Sequence, residues 1–530
     1  MINFSPARVL GALAGLLAGA VGVCVGILVA GITGPDSSPV VAVGELSIDL
    51  SPPAVKNFAI REFGSHDKVA LQIGVLIILA IFSAFIGLMA QRNRRNGLIG
   101  VGVFCVVGLI AAATRPTATP YYVLPTLLGS AAAALAIDRL VRAAGYLPKA
   151  SVPAPEEQKV AGSHRRKASL SVNEAPPRRD FIKSGAVAAG VAAVAYLGGR
   201  QLSERANVTQ AEESMKLPAP TVTEPPVPPG ANLRIPGLSS FITPNSVFYR
   251  VDTAIVLPQI PPSSWQLRIH GMVSKELTLT FDDLIRRPLI EDYITLTCVS
   301  NPVGGPYIGN AKWLGASLRS LLREAGIKAG ADQLFCTSFD GFTSGTPVAT
   351  AMDGRDALLA VAMNGKPLPV EHGFPVRTVV PGLYGYVSAC KWITDINVTT
   401  YRANQSYWAQ RGWFAEAPIK TESRIDVPTG QNPLKAGRTA IAGVAWAQHK
   451  GIDAVHVRVD RGPWNQATLA AVPGIDTWRQ WVWYWNATPG SHVIEARATD
   501  ATGYTQTALQ SAPEPNGASG YPIVQVSVTS

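Results

Sequence analysis

Glu371-His372-Gly373-Phe374-Pro375-Val376-Arg377-Thr378-Val379-Val380-Pro381-Gly382 carries a histidine and an arginine through a Gly/Pro frame, and Ser388-Ala389-Cys390-Lys391-Trp392 adds a lysine just downstream. Such a frame brings backbone amides close to whatever it encloses. His372, Arg377 and Lys391 then supply donors and positive charge suited to a phosphate-bearing ligand. Upstream, Leu296-Thr297-Cys298-Val299-Ser300-Asn301 ends a β-rich run at a cysteine and enters the loop Pro302-Val303-Gly304-Gly305. A thiol at a strand end facing backbone amides is placed to bind a soft metal as its thiolate. A single cysteine is more often inert packing, and it is the second cluster that reverses those odds.

Outward from these stretches, the chain changes character. Only 15% of its 530 residues are charged, and its mean hydropathy is positive. Val9–Ile32 and Val69–Ala90 are uncharged over 24 and 22 residues, long enough to cross about 30 Å of hydrocarbon. Leu98–Ala113 and Tyr121–Ile137 are shorter, and Gly185–Gly199 is a weaker fifth run rich in Ala and Gly. The net charge of +10 does not describe a nucleic-acid face. Arg92, Arg94 and Arg95, with the segment 139–183, carry +9 of it, the positive-inside pattern of a membrane protein. That pattern places the N-terminus, loop 91–96 and segment 138–184 inside, loop 33–68 outside, and residues 200–530 outside. Arg178-Arg179-Asp180-Phe181-Ile182-Lys183 stands before the fifth run and reads as a twin-arginine export signal retained as an anchor. Such signals carry proteins already folded, commonly around a cofactor inserted in the cytoplasm.

The rest of the chain is expected to fold outside the membrane. Gln201–Asn232, with Glu224-Pro225-Pro226-Val227-Pro228-Pro229-Gly230, reads as a semi-rigid spacer. Beyond it, short apolar strands alternate with helix-like segments such as Ala316–Ala325 and Arg355–Met363, an α+β pattern. After Pro428, short strands separated by turns such as Thr488-Pro489-Gly490 predict an immunoglobulin-like β-sandwich. The expected organisation is multi-domain: a four-helix membrane domain over 1–145, a basic cytoplasmic loop with the fifth helix over 146–200, a linker over 201–232, an α+β domain over 233–427 and the sandwich over 428–530. Cys24 and Cys105 fall within spans. Cys298, Cys336 and Cys390 are odd in number and irregularly spaced, so a disulfide scaffold is not expected.

With these pieces in order, the chain from about Leu233 onward resembles the sulfite oxidase family of molybdopterin-dependent oxidoreductases. The resemblance rests on the cysteine loop, the His-Gly-Phe-Pro-x-Arg segment and the Lys-Trp pair. It is extended by Thr243-Pro244-Asn245, Phe248-Tyr249-Arg250, Trp265-x-Leu267-x-Ile269-x-Gly271, Asn310-Ala311-Lys312-Trp313-Leu314-Gly315 and Met363-Asn364-Gly365-x-Pro367-Leu368-Pro369. It implies a molybdenum–molybdopterin cofactor with Cys298 as the metal ligand. Arg250, Asp340, His372, Arg377, Ser388 and Lys391 are the implied cofactor contacts, and the sandwich is implied to mediate a homodimer. Arg250, Arg411 and Trp413 would face the substrate beside Cys298.

The departures from the family pattern concern substrate. Where animal and plant sulfite oxidases carry an arginine five residues after the ligand cysteine, this chain has Val303, and where they carry a tyrosine near the metal it has Trp413. A pocket short of one cation and one phenol suits sulfite less well, so a sulfoxide or N-oxide stands beside sulfite as the expected substrate. None of the seven histidines lies within a span, and no Cys-x-x-Cys-His or iron–sulfur cluster pattern is present. Electrons are therefore expected to pass to or from a separate cytochrome or a quinone. The contrasting reading is a non-catalytic module that binds a cofactor or ligand within a membrane redox complex.

Overall fold

The computed structural model describes residues 6–52, 55, 58, 62–63, 67–144, 178–205 and 207–530. Most of the basic segment, 145–177, lies outside the described residues, as does His66. The chain divides into two compact units, 1–207 with 254–256 and 208–253 with 257–530.

The first unit is helical: α1 Pro6–Thr33, α2 Pro39–Leu50, α3 Asp67–Arg92, α4 Arg94–Ala113, α5 Leu124–Ala143 and α6 Arg178–Arg205. Among the described residues, five stretches, all but α2, are long and apolar enough to cross a membrane. Glycines let α1 close on its neighbours. A Cβ at Gly15 would overlap the Ser83 carbonyl of α3, and one at Gly22 would meet Ala133 of α5, the small-residue packing of helices in an apolar solvent. The stretch expected as a plain outer loop contains α2. Its Ala42 packs on Ala111 and Ala112 of α4, and Glu45 and Asp49 pair with buried Arg115 at 3.3 and 3.1 Å. The paired arginines open α6 rather than preceding it, and α6 runs past Gly199 to Arg205.

The second unit is α+β. One five-stranded sheet has the order β2-β1-β10-β5-β6, from β1 Gln266–Gly271, β2 Leu277–Thr280, β5 Gln333–Ser338, β6 Thr343–Pro347 and β10 Ile393–Thr399, with β1 parallel to β10. A second sheet runs β3-β4-β7-β8, from β3 Leu289–Thr297, β4 Ile308–Ser317, β7 Leu358–Met363 and β8 Lys366–Pro367, and β9 Arg377–Val379 pairs with β7. Helix Leu318–Ala325 forms where a helix was expected. Arg355–Met363 does not: its apolar half is β7. Leu358–Met363 is buried at every position, and a strand covered on both faces loses the alternation that tells it from a helix.

The expected spacer is docked rather than free. Thr221 donates its N–H to the Leu289 carbonyl at 2.8 Å, and Glu291 donates to Val222 at 2.9 Å. Val208 is buried with Phe248, Ile294 and Trp313. Prolines suit this edge position because it asks for few donors.

The C-terminal region is two antiparallel-rich sheets on one core. The first is β11-β13-β17-β16, from β11 Glu422–Val427, β13 Gly437–Trp446, β16 Thr468–Leu469 and β17 Arg479–Ala487. The second is β12-β19-β18-β14-β15, from β12 Leu434–Lys435, β14 Ile452–Val459, β15 Asn465–Gln466, β18 Gly490–Asp500 and β19 Ile523–Thr529. Ile441 and Trp481 from one sheet meet Val455, Val457, Ile494 and Ala496 from the other, the alternate inward residues of a sandwich. β11 pairs with β13, so the sandwich begins upstream of Pro428. It also braces β3: Gln448 donates to the Thr295 carbonyl at 2.9 Å, and the Trp478 N–H to the Thr295 hydroxyl at 2.7 Å.

Candidate active site

The antiparallel ladder of β3 on β4 ends at Thr297 and delivers Cys298 to a closed loop. Cys298 donates its N–H to the Tyr307 carbonyl at 2.9 Å, Asn301 donates back to the Cys298 carbonyl at 3.1 Å, and the Asn301 carboxamide oxygen accepts from Tyr307 at 2.8 Å. That last bond fixes the orientation of the carboxamide, leaving its buried Nδ2 with no partner among the described residues. Cys298 is a buried free thiol. Burial pushes it above the usual thiol range, and the backbone and hydroxyl of Ser300 pull it back. The protein surroundings alone thus favour the neutral thiol, contrary to the thiolate expected from the strand-end position, and a bound metal ion is what would claim the anion.

Two elements meet this strand end. A Cβ on Gly385, which opens the short helix Gly385–Ser388, would sit 3.6 Å from the Tyr249 hydroxyl and 3.7 Å from the Thr297 carbonyl. The Tyr249 phenol stacks its ring on Phe248 at 5.3 Å and lies within electrostatic reach of both Cys298 and Arg377. Burial, reinforced by Cys298 and opposed by Arg377, holds it protonated.

Arg377, at the start of β9, is buried and donates to three carbonyls: His372 at 2.9 Å, Ala389 at 3.3 Å and Thr378 at 3.4 Å. Its guanidinium lies 5.3 Å over the Trp313 ring. No carboxylate pairs with it among the described residues, and burial draws its pKa down to about 10. His372 is 2% exposed and donates through Nε2 to the Asn245 carbonyl at 3.2 Å, which leaves Nδ1 as an acceptor. Burial and the nearby charges of Arg377 and Lys391 lower its pKa to about 3. The ring is therefore neutral, and its 4.0 Å approach to Glu371 is not an ion pair. The sequence fragments around it interlock: Asn364 donates to the Asn245 side chain at 2.7 Å and to the Thr243 carbonyl at 2.9 Å.

The other cations share one acid. Lys391 reaches Asp252 at 2.9 Å and the Glu371 carbonyl at 3.1 Å, and Arg250, more exposed, meets the same carboxylate oxygen at 2.8 Å. Asp340 accepts from the Phe342 N–H at 3.2 Å. Burial raises its pKa while Lys391 opposes, which places it in the same corner. Ser388 does not turn outward. Its buried hydroxyl donates to the Leu383 and Tyr384 carbonyls at 2.9 and 3.2 Å, closing its own helix. Trp413 packs edge-on against Tyr386 and Trp408 at 6.1 and 6.0 Å. Arg411 donates to the Tyr407 carbonyl at 2.7 Å and stacks on its ring at 3.5 Å. Asp252, Tyr249 and Asn301 were not among the expected site residues. The first two adjoin Arg250 in sequence, and Asn301 follows the cysteine, but neither a shared carboxylate nor an orphaned amide has a sequence signature.

Residues 254–408 match the family model of the oxidoreductase molybdopterin binding domain. The chain is 31% identical over 274 residues to mitochondrial sulfite oxidase of Rattus norvegicus, covering 43% of this chain and 50% of that one. The chain carries a molybdopterin-binding oxidoreductase domain similar to that of the sulfite oxidases. Sulfite oxidase of Gallus gallus is 31% identical over 290 residues, 46% of this chain and 62% of that one. NADH nitrate reductase 1 of rice, Oryza sativa subsp. japonica, is 32% identical over 207 residues, 34% of this chain and 22% of that one. The chain thus spans about half the length of the sulfite oxidases it matches. Among solved structures, the sulfane dehydrogenase SoxCD of Paracoccus pantotrophus aligns at 23% identity with a TM-score of 0.47, over 54% of this chain and 84% of that one.

The family's molybdenum–molybdopterin cofactor fits the residues in place. A buried cation without an acid, a neutral imidazole with a free acceptor, an orphaned carboxamide donor and a strand-end thiol make a donor set that the protein leaves incomplete by itself. Cys298 would hold the metal. Arg377 and His372, with Lys391 and Arg250 at the rim, would hold the polar and anionic parts of the pterin.

Proposed function

We propose that this chain is a membrane-anchored oxidoreductase whose second unit works outside the cytoplasmic membrane on a small oxygen-accepting or oxygen-donating substrate. The observation that carries the reading is the buried Cys298 thiol, set on a braced strand beside Tyr249 and the acid-free Arg377. The bound molybdenum–pterin supplies two-electron redox chemistry coupled to transfer of an oxygen atom. The chain's own part is positioning. Tyr249 offers a protonated phenol O–H to substrate, Arg377 and His372 orient the cofactor, and Trp413 with Tyr386 walls the approach. Half-buried Val303 and buried Trp413 stand where sulfite oxidases place a cation and a phenol, which favours sulfoxides or N-oxides over the sulfite dianion.

The five long apolar helices support anchoring, and the Arg178-Arg179 pair that opens α6 supports export of a folded, cofactor-loaded unit. The two-sheet C-terminal region is read as an immunoglobulin-like dimerisation domain. A separate cytochrome or a quinone exchanges the electrons. A substrate panel on the purified full chain tests the reading, with sulfite, methionine sulfoxide and trimethylamine N-oxide supplied with artificial electron carriers. The expected result is turnover of a sulfoxide or N-oxide at higher kcat/KM than sulfite. Turnover of none of the three contradicts it.

A further inference from the structure

The helical unit contains a partly open cavity of about 260 Å³ lined by residues of α1, α2, α3, α4 and α5. Its walls are apolar, with Ala18, Val43, Val75, Ile78 and Phe104 among them, and no Lys, Arg, Asp or Glu among the described residues lines it. A charged substrate or a lipid headgroup therefore has no counter-ion here.

Four hydroxyls interrupt the apolar wall: Ser47, Ser83, Thr126 and Ser130. In an apolar helix a Ser or Thr hydroxyl ordinarily bonds back to the carbonyl four residues earlier. Thr33, Ser47 and Thr114 do so, to Val29, Val43 and Ile110 at 3.2, 2.7 and 2.9 Å. The other three on the cavity wall, Ser83, Thr126 and Ser130, make no hydrogen bond among the described residues, and the Thr126 oxygen is sealed from solvent without a partner. Thr126 and Ser83 are only 4% and 7% exposed. An unsatisfied hydroxyl in hydrocarbon is costly, and a saturated acyl chain would leave all three unmet.

We infer that this cavity binds a quinone, an uncharged apolar ring whose carbonyl oxygens accept from Thr126 and from Ser83 or Ser130 while its tail lies among the apolar side chains. The inference rests on the reading of the helical unit as membrane-embedded. It is independent of whether the second unit is catalytic, because its test reads binding and not turnover.

The full chain, purified in detergent, is titrated with a decyl-substituted benzoquinone, and bound quinone is measured by extraction. The wild type is expected to bind saturably, near one per chain. Thr126→Val, close in shape, should weaken binding about tenfold, the loss of one buried hydrogen bond. Ser130→Leu, which fills the cavity, should abolish it. As a check that needs no variant, the quinone should raise the melting temperature of the wild-type helical signal while an alkane of equal length should not. No saturable binding, equal binding by both variants, or equal stabilisation by the alkane would overturn the inference.

Discussion

Arg377 and the Arg250–Lys391 pair lie on the same site but are held by opposite means. Lys391 and Arg250 share the buried carboxylate of Asp252 at 2.9 and 2.8 Å, so the protein itself supplies part of the countercharge in that corner. Arg377 has only carbonyls, and burial works against its charge. A protein keeps a buried cation without an acid at a cost to stability, and that cost is understandable where the missing anion arrives with a ligand. The Lys391–Arg250 corner serves the fold as well as the rim of the cofactor site, whereas Arg377 depends on the cofactor for its anion.

The comparison breaks most sharply by mutation. Arg377→Met should lower pterin content of the purified protein at least about tenfold, as losses of metal-site support commonly do. It should change the stability of cofactor-free protein less than Asp252→Ala, which strands two cations and should cost roughly 3 kcal/mol. Pterin fluorescence after oxidation and urea melts of cofactor-free protein read the two effects. If Asp252→Ala empties the site while Arg377→Met retains pterin, the roles are reversed.

A smaller effect comes from His372. Its folded pKa of about 3 lies below the ordinary 6.5, so between those values the unfolded chain takes a proton that the folded chain refuses. The neutral ring's contribution is complete above pH 6.5 and is lost as pH falls toward 3. Relative to His372→Gln, wild-type cofactor-free protein should lose about 2 kcal/mol of unfolding free energy between pH 7.5 and 5, at roughly 1.4 kcal/mol per pH unit below 6.5. A difference that stays flat with pH would show the ring solvated.

Much of this was legible in the sequence because its signals are local. Uncharged runs marked the helices that are long enough to span, and alternating apolar residues with turns marked strands such as Gly437–Trp446 and Gly490–Asp500. The positions of Cys298, His372, Arg377 and Lys391 followed from motif order. What escaped depends on contacts distant in sequence. Leu358–Met363 reads as helix until β4 and β9 cover it. The proline-rich stretch looks free until β3 pairs with it. Ser388 matched by position, yet its hydroxyl closes its own helix. Asp252 enters the site only because the fold brings Lys391 to it from far along the chain.

The most direct test of the central claim is the molybdenum and pterin content of the full chain made in a host that synthesises the cofactor, compared with Cys298→Ser. The account predicts close to one molybdenum and one pterin per wild-type chain. In the variant the pterin should remain, held by the unchanged cations, while turnover falls by at least about a hundredfold. A wild-type chain that carries neither metal nor pterin would contradict it.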